Sequence, residues 1–226
     1  MDDIEAVRGQ FAGMRPGYEM IAARFVGDPG DVVDEAAALY DRMVPDLAYL
    51  DAPDHPMADS LFKCAMTLAV YLALKDRGVD VHDFGATVVE MFAMVPAPPD
   101  QFGDDSALLA LKSAAEASQR EPRKGEFVFE VLEGVQDADV AMNVKSCGIC
   151  HHFSKYGAIE LVPYMCALDD VISDKLDHGL RRTGTIALGA QHCDFRFRRG
   201  GDPLRVADTH PEQIRLKNRG GSAPSV

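Results

Sequence analysis

Glu126-Phe-Val-Phe-Glu-Val-Leu132 breaks the rhythm of everything before it. Phe127, Phe129 and Val131 alternate with Val128, Glu130 and Leu132, and a period of about two belongs to a strand. Gly134 to Asp137 supplies a turn, after which Ala138, Val140, Met142 and Val144 alternate along a second strand. The two read as a hairpin. From Cys147 to about Gly157 the spacing is helical again, and a second helix is expected from about Glu160 to Leu176, closed by His178-Gly179. Thr183 to Leu188 reads as a third strand, Gly189 to His192 as a turn, and Cys193 to Arg198 as a fourth strand. The expectation is therefore an α+β fold: an antiparallel sheet built as hairpin, two helices, hairpin.

Upstream, residues 1–120 read as helices punctuated by Pro and Gly. Asp31 is a plausible cap for Val32–Met43, where Val32, Ala36, Leu39, Tyr40 and Met43 recur at helical spacing. Asp59 or Ser60 can cap Leu61–Lys75, whose nearly continuous apolar run marks it as the most buried helix. Phe84–Met94 and Ser106–Ala117 supply two more, joined by the turn-rich Pro96–Gly103. The polar stretch from Gln119 to Gly125 divides a helical subdomain (1–125) from an α+β core that holds most of the cysteines (126–200). Residues 201–226 read as a polar C-terminal arm, and the whole as one compact unit.

A chain of 226 residues that is 47% hydrophobic has material for a sizeable core, which excludes intrinsic disorder. A net charge of −13 argues against a basic nucleic-acid face, and its excess of acid concentrates in the helical half. That acidic, apolar-rich half would suit a homodimer. The start, MDDIEAVRGQ, has neither a basic nor an apolar signal region, and no apolar run approaches the roughly 18 residues a membrane span needs. A cytoplasmic location without membrane attachment is expected.

In such a compartment, grouped cysteines point to metal or thiol chemistry rather than disulfides. Four of the five lie between Cys147 and Cys193, and only Cys64 stands apart, where it reads as core packing. Cys147-Gly-Ile-Cys150-His151 has the spacing of covalent haem attachment, a chemistry of exported proteins. It also has the spacing of a redox dithiol, although a hairpin precedes it where a thioredoxin-like fold requires a βαβ unit. A third reading is zinc, with Cys147, Cys166 and Cys193 as ligands. Cys193 shares a strand face with Phe195 and Phe197 and so points to the core, and the helix over that face could carry Cys166 above it. Asp169 follows Cys166 on the same helix face at i+3. Three cysteines and a carboxylate would then converge, a set suited to a metal or to a nucleophilic thiolate with an acid/base partner.

Asn143-Val144-x-x-Cys147, Cys166-x-x-Asp169, Arg182-Thr-Gly-Thr185 and Gly189-Ala190-x-x-Cys193-Asp194-Phe195-Arg196 together resemble the L-2-amino-thiazoline-4-carboxylic acid hydrolase family. A more distant similarity is to 4-vinyl-reductase-type ligand-binding domains, which would make the chain a non-catalytic small-molecule sensor with a structural zinc site. The first resemblance implies a hydrolase that opens a small heterocyclic substrate at an amidine-like carbon. On that reading Cys147, Cys166, Cys193 and Asp169 are the catalytic candidates, acting by a thiolate or by zinc-activated water. Arg182, Asp194, Arg196 and Asn143 are the substrate-binding candidates, an arginine being suited to a carboxylate. His151 and His152 are alternative bases.

Overall fold

The computed structural model describes residues 2–97, 99–100 and 105–216. The C-terminal arm expected over 201–226 therefore lies partly outside the described residues, as does the connection expected over Pro96–Gly103.

Five helices come first: α1 (Asp2–Ala22), α2 (Pro29–Met43), α3 (Ala58–Lys75), α4 (Val81–Met94) and α5 (Asp105–Arg120). The hydrophobic spacing locates α2 through α5 but misplaces the caps. Asp28, not Asp31, caps α2 through the Gly30 N–H, which leaves Asp31 in the first turn where its charge still suits the helix dipole. No side chain caps α3; Asp59 is instead inside the helix, paired with Lys63. The helix α1 carries Pro16 in its interior, which hides it from a reading of breakers. Its Phe11 and Tyr18 rings stack on each other, and Phe11 also meets Tyr40 of α2. As expected, α3 is buried along most of its length.

The strands β1 (Val128–Leu132), β2 (Val140–Ser146) and β3 (Cys193–Phe197) form one antiparallel sheet in the order β1-β2-β3. Register aligns Phe129, Val144 and Cys193 in one row and Val131, Met142 and Phe195 in the next, all on the core face. Glu130, Asn143 and Asp194 line up on the opposite face, with Ala141 beside Arg196. Between β2 and β3 run α6 (Gly148–Lys155) and α7 (Val162–Leu176), and α8 (Val206–Thr209) follows the sheet.

The expected third strand, Thr183–Leu188, is not a strand, so the second hairpin is absent. Its backbone groups are taken locally: the carboxylate of Asp194 accepts the N–H groups of Thr183 and Gly184, and the Thr185 carbonyl accepts those of Leu188 and Ala190. Ile186–Leu188 closes as a 3-10 turn instead. Just before it, Arg181 pairs with β3 at Arg196.

One hydrophobic core runs from Val7 to Ile214 and includes residues from both sides of Gly125. Tyr49 ties the parts together, its hydroxyl accepting the Phe127 N–H at 2.8 Å. The helix α4 packs on α7, α3 on α6, and α5 along β1. Ser118 of α5 bonds both the N–H and the carbonyl of Phe129, so the outer edge of the sheet is covered rather than open.

Candidate active site

The residues Cys166, Asp169, Asp170 and Ser173 fall at helical spacing on α7, and that face turns toward Arg182 and the sheet. Arg182 is 1% exposed and is the largest fully buried side chain among the described residues. It donates to Asp169 (Nη1 to Oδ2, 2.7 Å), to Asp170 (Nη2 to Oδ1, 2.9 Å) and to the Cys166 carbonyl (2.7 Å). Its guanidinium lies over the Phe195 ring, 4.7 Å from the centroid. A planar fork serving two carboxylates and a carbonyl while stacked on an aromatic is a task lysine cannot perform. Two buried polar atoms of this segment, Arg182 Nε and Thr185 Oγ1, have no hydrogen-bond partner among the described residues.

Two carboxylates share one guanidinium here. Burial pushes Asp170 up to about 6 against the pull of Arg182, and it pushes Asp169 above the usual carboxylate range against the same pull. Asp170 is enclosed and also accepts the Val206 N–H, whereas Asp169 leaves 42% of its side chain open to water. Of the two, Asp169 is the carboxylate that solvent reaches.

The thiols of Cys147, Cys166 and Cys193 surround this pair closely enough for each charge to bear on the others. Burial raises Cys166 well above the usual thiol range; Arg182 lowers it, and Asp169, Cys193 and Cys147 raise it further. Burial pushes Cys193 up to about 11, although its sulfur accepts the Ile186 N–H at 3.2 Å. Cys147 is the N-cap of α6 and its sulfur accepts the Cys150 N–H at 3.4 Å. A hydrogen bond with the Cys150 thiol, then burial, raises Cys147 despite those amides, which reverses the lowering expected at a helix start. All three are held as thiols at neutral pH, so a nucleophile drawn from them needs a base.

Asn143, Asp194 and Arg196 are not brought to the thiols. Alternation puts them on the other sheet face, where Arg196 bonds the Asn143 side chain and Asn143 bonds Glu130. Asp194 clamps the Thr183–Gly184 turn; burial opposes its charge, but the Thr183 hydroxyl and the two amides outweigh it and hold its pKa low. The residues Arg182-Thr-Gly-Thr185 and Cys193-Asp-Phe-Arg196 thus interlock. His151 is exposed, and His152 is buried beside Tyr156, its pKa lowered by burial to about 4, with Asp46 and Lys155 as its charged neighbours. Neither histidine is placed among the site's charges.

Two residues escape the sequence. Asp170 is hidden behind its neighbour, though the Cys166–Asp169–Asp170 spacing of i, i+3, i+4 could have flagged it. Cys64 lies near enough to Asp169 and Cys147 for their charges to raise it, yet in a uniformly apolar helix it gives no signal. The zinc reading does not fit the donors. Among the described residues no group of three or more His, Cys, Asp or Glu side chains could hold a metal ion, and Asp169 is engaged by Arg182.

No helix among the described residues is long and apolar enough to cross a membrane. A family model described as L-2-amino-thiazoline-4-carboxylic acid hydrolase matches residues 60–197. No curated protein and no solved structure matches the chain.

Proposed function

The chain belongs to the L-2-amino-thiazoline-4-carboxylic acid hydrolase family, and from that premise we propose that it hydrolyses a small cyclic amidine of the 2-aminothiazoline carboxylate type at the site around Cys166 and Asp169. The matched span runs from α3 to the end of β3 and contains every residue of that site. The observation that carries the reading is the pairing of a partly open thiol with a half-open carboxylate on one helix face, over a buried arginine.

The chemistry follows from those environments. Cys166 rests as a thiol because burial disfavours its anion. A protonated amidine entering beside Asp169 brings a positive charge, which favours the thiolate. Asp169, made more basic by the same burial, takes the proton from Cys166. The thiolate adds to the amidine carbon, whose C=N electron pair moves to nitrogen. One ring bond to that carbon then breaks, and the leaving heteroatom receives the proton from Asp169. Water, deprotonated by Asp169, displaces the Cys166 sulfur and restores the enzyme. Arg182 is a positioning residue throughout: it fixes the Asp169 carboxylate and the Cys166 carbonyl in one plane.

The test is a mass-spectrometric screen of thiazolines, cyclic amidines and lactams with the purified protein. A ring-opened product heavier than its substrate by one water is expected for a 2-aminothiazoline carboxylate. Absence of product across the three classes would overturn the assignment and favour a binding module.

A further inference from the structure

One motif remains outside this chemistry: Cys147-Gly-Ile-Cys150. The Cys147 sulfur accepts the Cys150 N–H at 3.4 Å, and both residues are partly open to solvent, whereas Cys64 and Cys193 are buried. Cys147 has extended backbone dihedrals (φ −110°, ψ 115°) and its carbonyl already accepts the His151 N–H, so the first turn of α6 is formed with both cysteines on it. Position 148 admits only glycine: a Cβ there would lie 2.7 Å from the Gly125 carbonyl oxygen and 3.2 Å from the Phe127 ring. The start of α6 therefore packs closely against the segment entering β1.

We infer that Cys147 and Cys150 are a reversible oxidation site, joined as a disulfide by a hydroperoxide and reopened by a dithiol reductant. One thiol of the pair gives its proton to water as its sulfur attacks the peroxide oxygen, breaking the O–O bond to give a sulfenic acid and hydroxide. The neighbouring sulfur then attacks the sulfenic sulfur and displaces its hydroxyl, and the released proton and hydroxide leave as water. The peroxide is reduced to two waters and the two thiols are oxidised to one disulfide. Neither sulfur has to cross the site, and the helix keeps its hydrogen bond. Because the Cys147 thiol borders Cys166 and Cys193, its capture alters the hydrolytic site; that consequence rests on the hydrolase reading, and the bond itself does not.

Both cysteines fall on one tryptic peptide, 146–155, which makes the test direct. The full chain is treated with stoichiometric hydrogen peroxide, alkylated, digested and weighed. The peptide is expected to lose about 2 Da, the two thiol hydrogens, and to take up no alkylating reagent until dithiothreitol is added. In Cys150→Ser the loss disappears and Cys147 is trapped as a sulfenic acid. A peptide that stays fully alkylated, or Cys147 bonded to Cys166 or Cys193, would overturn the inference. On any substrate found in the screen, turnover is expected to fall at least about tenfold with the bond formed and to recover on reduction. An intact bond with unchanged turnover would overturn the regulatory half, and a screen without product would leave the mass result standing.

Discussion

Arg182 shows how much of this protein depends on one side chain. It is the counter-charge for two carboxylates in a buried setting, and removing it leaves both uncompensated. Arg182→Met should cost about 3–5 kcal/mol of stability, measured by urea unfolding, more than any surface ion pair here. Asp170 offers a pH signature. With a folded pKa raised from 3.8 to about 6, it holds its proton more tightly folded than unfolded. Its contribution is fully present below about pH 4 and is lost as pH rises through about 6. The stability of the wild type relative to Asp170→Asn should therefore fall by roughly 1–3 kcal/mol between pH 4 and pH 7. A difference that is flat, or that rises with pH, would mean that Arg182 outweighs burial. Adjacent in sequence, Asp169 and Asp170 diverge because one side faces water and the other faces α8.

At the scale of elements, the site depends on where α7 sits, and Gly85 sets that. A Cβ at position 85 of α4 would lie 2.3 Å from the Tyr164 ring, whose hydroxyl bonds His82 and the Arg215 N–H. In a helix interior Gly→Ala ordinarily stabilises by up to about 1 kcal/mol. Here the sign should reverse: Gly85→Ala is expected to lower stability by about 1–3 kcal/mol and to reduce turnover, since Tyr164 stands two residues before Cys166. A stabilised variant would show that α4 and α7 are not in close contact. The same scale explains what the sequence disclosed. Periodicity located α2 to α7 and the three strands, because core-facing stripes such as Phe129, Val131 and Val144 are written at fixed spacing. It misplaced the third strand because Asp194 removes the Thr183 and Gly184 donors from any ladder, a contact between residues about ten apart that no local pattern records. It missed α1 because Pro16 reads as a breaker.

Taken as a whole, the proposed site lies where the two textures of the molecule meet. Cys64 comes from α3, Cys147 from the cap of α6, Cys166 and Asp169 from α7, and Cys193 from β3. The core-facing placement of Cys193 and the Cys166–Asp169 face of α7 were legible from strand alternation and helix spacing. The helical contribution was not, since only packing of α3 on α6 brings Cys64 near. A net charge of −13 disfavours anionic partners at long range, and the site's own two carboxylates against one arginine likewise favour a substrate that carries a cationic amidine. The most direct test is the ring-opening rate on a 2-aminothiazoline carboxylate for the wild type, Cys166→Ala and Asp169→Asn, each first shown to be folded by circular dichroism. The account predicts a loss of about a thousandfold or more for Cys166→Ala and roughly a hundredfold for Asp169→Asn. Wild-type rates in both variants would place the chemistry elsewhere.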